Sequence, residues 1–155
     1  MYTFEQVLPL IEGSYGETCC RKRVGYYYSL AVDFGKKIYH NKKRNVDSFY
    51  GEWQFRTYNR MWKIIKDEQV ILQGQNNTGS NDDLDDLLQQ IEFGRLINIS
   101  INTDLDLVLE LDNGLSIEFL SRSKEEEICV IFLPNNGYLT YHFNQDWEYD
   151  ISDIQ

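Results

Sequence analysis

The residues best suited to chemistry gather in 51–64, Gly-Glu-Trp-Gln-Phe-Arg-Thr-Tyr-Asn-Arg-Met-Trp-Lys-Ile. Arg56, Arg60 and Lys63 with Tyr58 could stack on bases or pair with phosphate. Trp53, Arg56, Tyr58 and Arg60 therefore make a candidate binding groove. The competing reading puts Trp53 and Trp62 in the core with the cations outside, and burial preferences favour it. A pocket lined by Tyr26, Tyr27, Trp53 and Tyr58 is the corresponding small-ligand candidate.

The acidic stretch Asp82-Asp83-Leu84-Asp85-Asp86 invites a calcium reading, but it lacks the ligand register and central glycine of an EF-hand loop. Asn102-Thr103-Asp104-Leu105-Asp106 alternates oxygen donors and lacks the same glycine and the distant glutamate. The bland readings are acids at a helix start and a turn at a strand edge, so no metal is expected. His40 and His142 stand apart from any recognisable Cys or Ser motif, and no Gly-rich phosphate loop, H-E-x-x-H or G-x-S-x-G occurs. Cys19, Cys20 and Cys129 fit neither a disulfide framework nor C-x-x-C zinc spacing, and read as reduced structural thiols. The expectation is a protein that is not an enzyme and carries no cofactor.

Charge narrows the choice of partner. Residues 1–66 carry a balance of +6 and residues 67–155 one of −16, which makes −10 over the 155-residue chain. The acidic part argues against nucleic acid, because phosphates are repelled. It favours a basic protein surface as partner, or serves solubility alone. Its contact candidates are Asp82, Asp83, Asp85, Asp86, Glu125, Glu126 and Glu127. The basic loop Asn41-Lys42-Lys43-Arg44-Asn45 reads as solvated. No run approaches the ~20 apolar residues of a membrane helix. Met1 to Glu5 lacks the basic start and apolar run of a signal peptide. The cytoplasm is the expected home, and the pattern sets no oligomeric state.

The elements that must position these residues follow from periodicity. Thr3 caps a short helix to Ile11, with Gln6 completing a capping box and Phe4, Val7, Leu8 and Ile11 on one face. Residues 14–23 read as a polar loop, and 24–34 as a strand with Tyr28, Leu30, Val32 and Phe34 inward. Gly35-Lys36-Lys37 reads as a tight turn into a return strand, followed by strands over 49–59, 62–65 and 70–72. Ser80 or Asn81 caps a second helix over 82–91, whose stripe is Leu84, Leu87, Leu88 and Ile91. Strands at 96–101 (Ile97, Ile99 and Ile101 inward), 105–111, 115–120, 128–133 and 138–143 follow, with hairpins at Asp112-Asn113-Gly114 and Asn135-Asn136-Gly137. Trp147, Tyr149 and Ile151 of the acidic tail are expected to pack back on the sheet. The fold class is α+β: mostly antiparallel sheet of about ten strands, curved or in two parts, with an N-terminal and one mid-chain helix. A single domain is expected over 1–155, with a possible duplicated β-meander at 24–72 and 95–143.

Ser29-Leu30, Val32 and Phe34-Gly35, then Gly51-Glu52-Trp53 with Tyr58, Trp62 and Ile64, resemble the pattern of an uncharacterised family of small bacterial single-domain proteins. Asp106 to Ile117 resembles that family's downstream segment. The resemblance supplies no catalytic residues. It implies a small single-domain form similar to that of immunity proteins, which bind and block toxins; the alternative is a small-ligand-binding or assembly module.

Overall fold

A computed structural model describes residues 1–42, 46–75, 77–121 and 127–152. Helix α1 (Phe4–Ile11) starts as its capping box requires: Gln6 N donates to Thr3 Oγ1 at 3.3 Å and Thr3 N donates to Gln6 Oε1 at 2.9 Å. Val7 and Ile11 are buried, and Pro9 is accommodated within the helix. Helix α2 (Asn81–Gln89) is capped by Ser80, whose Oγ accepts from Asp83 N at 3.0 Å. Its buried stripe is Leu84 and Leu88, while Leu87 faces out.

Among the described residues eleven strands form two antiparallel sheets: β1 (Cys19–Val24), β2 (Leu30–Tyr39), β3 (Phe49–Arg56), β4 (Trp62–Lys66), β5 (Gln69–Gln73), β6 (Leu96–Ile101), β7 (Leu107–Leu111), β8 (Leu115–Phe119), β9 (Glu127–Phe132), β10 (Gly137–His142) and β11 (Trp147–Ile151). One sheet runs β1-β2-β3-β9-β10-β11, the other β5-β4-β8-β7-β6. The chain changes sheet between β3 and β4 and again between β8 and β9, so 24–72 and 95–143 each give strands to both sheets. The inner faces and both helices share one apolar core, which includes Leu30, Phe34, Phe55, Ile131 and Tyr141 from one side and Trp62, Ile64, Leu109, Ile117 and Phe119 from the other. Burying each such side chain contributes about 1.5–3 kcal/mol.

The structure corrects the sequence reading at several places. The expected loop 14–23 contains strand β1, because its arginines find carboxylates far along the chain. Tyr28 belongs to a short 3-10 turn before β2, not to the strand. Gly35-Lys36-Lys37 is a bulge inside β2: pairing steps from Phe34↔Trp53 to Lys37↔Gly51, and Gly35 takes φ +91°. A glycine is needed there for its φ and for space, since a Cβ would lie 2.4 Å from Glu52 Oε1. Strand β6 also carries a bulge, between Leu96 and Asn98, so Leu96 is buried and Ile97 is half-exposed. In β11 only Trp147 is buried; Tyr149 and Ile151 are exposed.

The turns obey backbone geometry more than residue identity. Asp67 and Glu68 both take positive φ (49° and 68°), as the two-residue β4–β5 hairpin requires. Four other hairpins place a left-handed residue last in a three-residue loop: Leu105, Gly114, Asn136 and Gln145. Only one of these is the expected glycine. In 134–136 the position falls to Asn136, and Gly137 instead accommodates the Tyr149 ring.

Candidate functional site

Register decides which side chains meet on the outer face of the six-stranded sheet. Arg21 pairs with Asp33, Arg23 with Ala31, and Ala31 with Arg56 across β1, β2 and β3. These positions alternate with the buried Val32 and Phe55, so they point away from the core. A chain of opposite charges crosses the face. Asp33 Oδ2 lies 3.4 Å from Arg21 Nη1, and Arg21 Nε 2.9 Å from Asp47 Oδ2. Asp47 then pairs with Arg23 at 2.8 Å, and Arg23 Nη1 with Asp85 at 2.9 Å.

Asp33 is fully buried and accepts from Gly51 N at 3.0 Å. Burial raises its pKa, and Arg56, Gly51 N and Arg21 oppose that rise. The hydrogen bond from Arg23 instead holds Asp47 below the usual carboxylate range. Three arginines, 21, 23 and 56, thus stand beside three aspartates, 33, 47 and 85. The face is rich in cations but locally balanced.

A groove of about 540 Å³ opens beside this network. Its floor includes Leu30, Ala31, Arg21, Arg23 and Arg56, and Tyr26, Tyr27, Tyr58, Asn81 and Asp82 also line it. Tyr26, Tyr27 and Tyr58 are 85%, 82% and 60% exposed. Two consecutive left-handed residues, Tyr27 (φ 58°) and Tyr28 (φ 59°), shape the turn that displays Tyr26 and Tyr27. Each costs roughly 1–2 kcal/mol for an ordinary L-residue. The surrounding structure holds the turn in place. Tyr28 N donates to Asn81 Oδ1 at 3.1 Å, Trp62 Nε1 donates to the Tyr28 carbonyl at 2.6 Å, and the Tyr28 hydroxyl donates to the Gly79 carbonyl. Backbone strain held by this many contacts is a mark of functional loops.

The candidate residues separate accordingly. Tyr26, Tyr27 and Tyr58 come together, but Trp53 does not join them: it packs behind β3, where Gly13 would place a Cβ 3.1 Å from its ring. Trp62 is wholly buried. Arg56 lies in the groove. Arg60 is structural, donating to the carbonyls of Gly74 (3.1 Å) and Asn77 (2.7 Å) over the Tyr28 ring. Lys63 faces the other sheet's exterior, 3.7 Å from Glu118.

Among the acids, Asp85 is engaged: it accepts from Val24 N at 2.8 Å and pairs with Arg23, and so ties α2 to β1. Asp82, Asp83 and Asp86 are exposed, with no ion pair among the described residues. Asp82 shares the groove with Tyr58, and Glu127 shares an adjoining hollow with the same tyrosine. Glu125 and Glu126 lie outside the described residues, as do Lys43, Arg44 and Asn45 of the basic loop. Sequence reasoning missed Asp33, Asp47, Arg21 and Arg23. A lone aspartate within the apolar run of β2 was the available signal.

The remaining candidates have structural explanations. Asn102 Oδ1 accepts from Asp104 N and Asp106 N, and Asp106 Oδ1 accepts from Ser121 N at 2.7 Å, which makes this segment a hydrogen-bonded turn. His40 Nδ1 accepts from Lys42 N at 3.1 Å, and His142 Nε2 lies 3.2 Å from Glu148. Burial pushes the Cys19 thiol up to about 12 and Cys20 to about 11, and raises Cys129 as well, which disfavours thiolate chemistry at neutral pH. Among the described residues no group of three His, Cys, Asp or Glu side chains is placed to hold a metal, and no helix is long and apolar enough to cross a membrane. Comparison with protein-family models, curated proteins and solved structures finds no match.

Proposed function

We propose that this protein is a non-enzymatic protein-recognition domain that takes a basic partner on the tyrosine groove and the carboxylates around it. The observation that carries the reading is the display of Tyr26 and Tyr27, 85% and 82% exposed, on a strained and firmly held turn. Tyrosines carried on a held backbone turn have few side-chain torsions to order on binding, and tyrosines are typical interface hot spots. Their faces also attract the ammonium or guanidinium groups of a basic surface.

Charge supports the same partner. Two of the groove's three arginines, Arg21 and Arg23, are paired with aspartates, and Asp82, Asp83, Asp86 and Glu127 are the exposed charges at the edges. Such carboxylates chiefly accelerate association and select the partner. An immunity protein acting in the cytoplasm against a basic toxin domain is the form of this reading that the family resemblance suggests.

The test is co-expression with, and binding to, the product of the adjacent gene. Toxicity relieved by this protein, with direct binding, is the expected result. Tyr27→Ala should then weaken binding by about 2 kcal/mol, roughly thirtyfold. Asp82→Lys should slow association most at low salt. A neighbour that is neither toxic nor bound overturns the immunity reading. A second reading, a small-ligand module, rests on the groove's 540 Å³, within the usual range of ligand pockets. Stabilisation by a metabolite in a thermal-shift screen would favour it.

A further inference from the structure

Three polar atoms on the outer face of the six-stranded sheet are buried and have no hydrogen-bond partner among the described residues: Asp33 Oδ1, Arg56 Nε and Arg56 Nη2. Asp33 and Arg56 stand on neighbouring strands, on the same face, two residues apart in register. A buried polar atom without a partner has given up its hydration for nothing in exchange, most of all when charged, so such atoms call for an explanation. Arg56 makes no direct ion pair among the described residues, although its charge acts on Asp33 from the neighbouring strand. Its guanidinium lies instead between two rings, 5.4 Å from the centroid of Tyr50 and 5.7 Å from that of Phe132.

The two nitrogens matter by their geometry. Nε–H and one Nη2–H of a guanidinium point the same way and match the two oxygens of one carboxylate. Arg56 forms part of the wall of a cleft of about 330 Å³, separate from the tyrosine groove except at this residue. Ile38, Phe132, Leu133 and Pro134 supply apolar walls. Lys42 brings a second cation, 5.3 Å from the Tyr50 centroid. Among the described residues Glu52 is the one carboxylate on the wall; it accepts from Lys36 N and covers Gly35. In a chain of net charge −10, the described residues lining this cleft include two cations and one acid.

We infer that the cleft binds a carboxylate carried on a small apolar body, with the Arg56 fork as its bidentate anchor and Lys42 as the second charge. The fork is shielded, so a ligand reaches it with rotation of a flanking ring, Tyr50 or Phe132. The carboxylate could belong to a free small acid or to the C-terminus of another chain, and the probes separate the two.

The experiment follows the Arg56 Nε–Hε resonance by NMR in the full chain. It is titrated with benzoate, with inorganic phosphate, and with a short apolar peptide ending in a free carboxylate or in an amide. A saturable shift with benzoate supports the inference with a free acid as source. A shift with the free-acid peptide but not with benzoate or the amide supports it with a chain terminus as source. No shift with either carboxylate, a response to phosphate alone, or equal responses to peptide acid and amide overturns it. Arg56→Lys keeps the charge and removes the fork, and should weaken benzoate binding by about tenfold or more. Lys42→Ala, at an exposed site, should weaken it by a few-fold. If both variants bind as the parent does, with their folds verified by NMR, the inference fails.

Discussion

The outer faces of the two sheets obey the same alternation rule and differ in what lies over them. On the five-stranded sheet, polar residues face outward and pair locally: Lys63 with Glu118 at 3.7 Å, and Asn98 with Glu110 at 3.2 Å, each across adjacent strands. On the six-stranded sheet, Asp33 is completely buried, and Arg21 and Arg23 retain only 12% and 25% side-chain exposure. Asp47 and Asp85 reach these arginines from outside the sheet, one from the segment before β3 and one from α2. Charged residues on a sheet exterior can therefore be solvated decoration or a mechanical joint. The second face is a joint: it holds β1, the segment before β3 and α2 together under the tyrosine groove.

The largest expected effect tests that joint at its buried end. Asp33→Ala removes one of the two carboxylates paired with Arg21 and the acceptor of Gly51 N, and should cost about 3 kcal/mol in urea unfolding. Lys63→Ala on the other sheet should cost about 0.5 kcal/mol or less. Equal costs would erase the distinction between the faces. Next, Asp85→Ala should cost about 1–2 kcal/mol and speed amide exchange in α2, since it loses both the Arg23 pair and the Val24 N–H bond. Asp86→Ala, one residue along and exposed, should change stability by less than about 0.5 kcal/mol.

The smallest effect is in pH dependence, and the two carboxylates that share Arg21 should oppose each other. Asp33 holds its proton more tightly folded than unfolded, because burial raises it above the ordinary 3.8. Its contribution is fully present below that value and is lost as pH rises through the folded value. Asp47 is lowered from 3.8 by Arg23, so its contribution is present above that value and is lost as pH falls through the folded one. Carboxyl-carbon NMR titration should show the two midpoints on opposite sides of 3.8. Midpoints on the same side would contradict the contrast in their environments.

Much of the secondary structure was legible because its causes are local. Thr3 and Gln6 carry the α1 cap, Leu84 and Leu88 the buried side of α2, and Asp112-Asn113-Gly114 a hairpin, each within a few residues. The misreadings share a different cause. Cys19–Val24 looks like a loop because five of its six residues are Cys, Arg or Lys with no local complement. Arg21 meets Asp33 across 12 residues and Arg23 meets Asp85 across 62. Gly35 signals a turn and a bulge equally well; the choice depended on Glu52 and Gly51 of β3 lying opposite.

The candidate site divides in the same way. That Asp82, Asp83 and Asp86 would be exposed acids could be read from their place on the helix, and Tyr58 could be named from composition. That Tyr26, Tyr27 and Tyr58 border one groove, that Trp53 does not, and that Asp85 is engaged with Arg23 could not. The sequence by itself determined the α+β class, the two helices, most strands and the uneven charge, because these depend on periodicity, capping and composition. Tertiary structure alone decided the strand order, the pairing of each arginine and which tyrosines meet, because those depend on register and on contacts between residues distant along the chain.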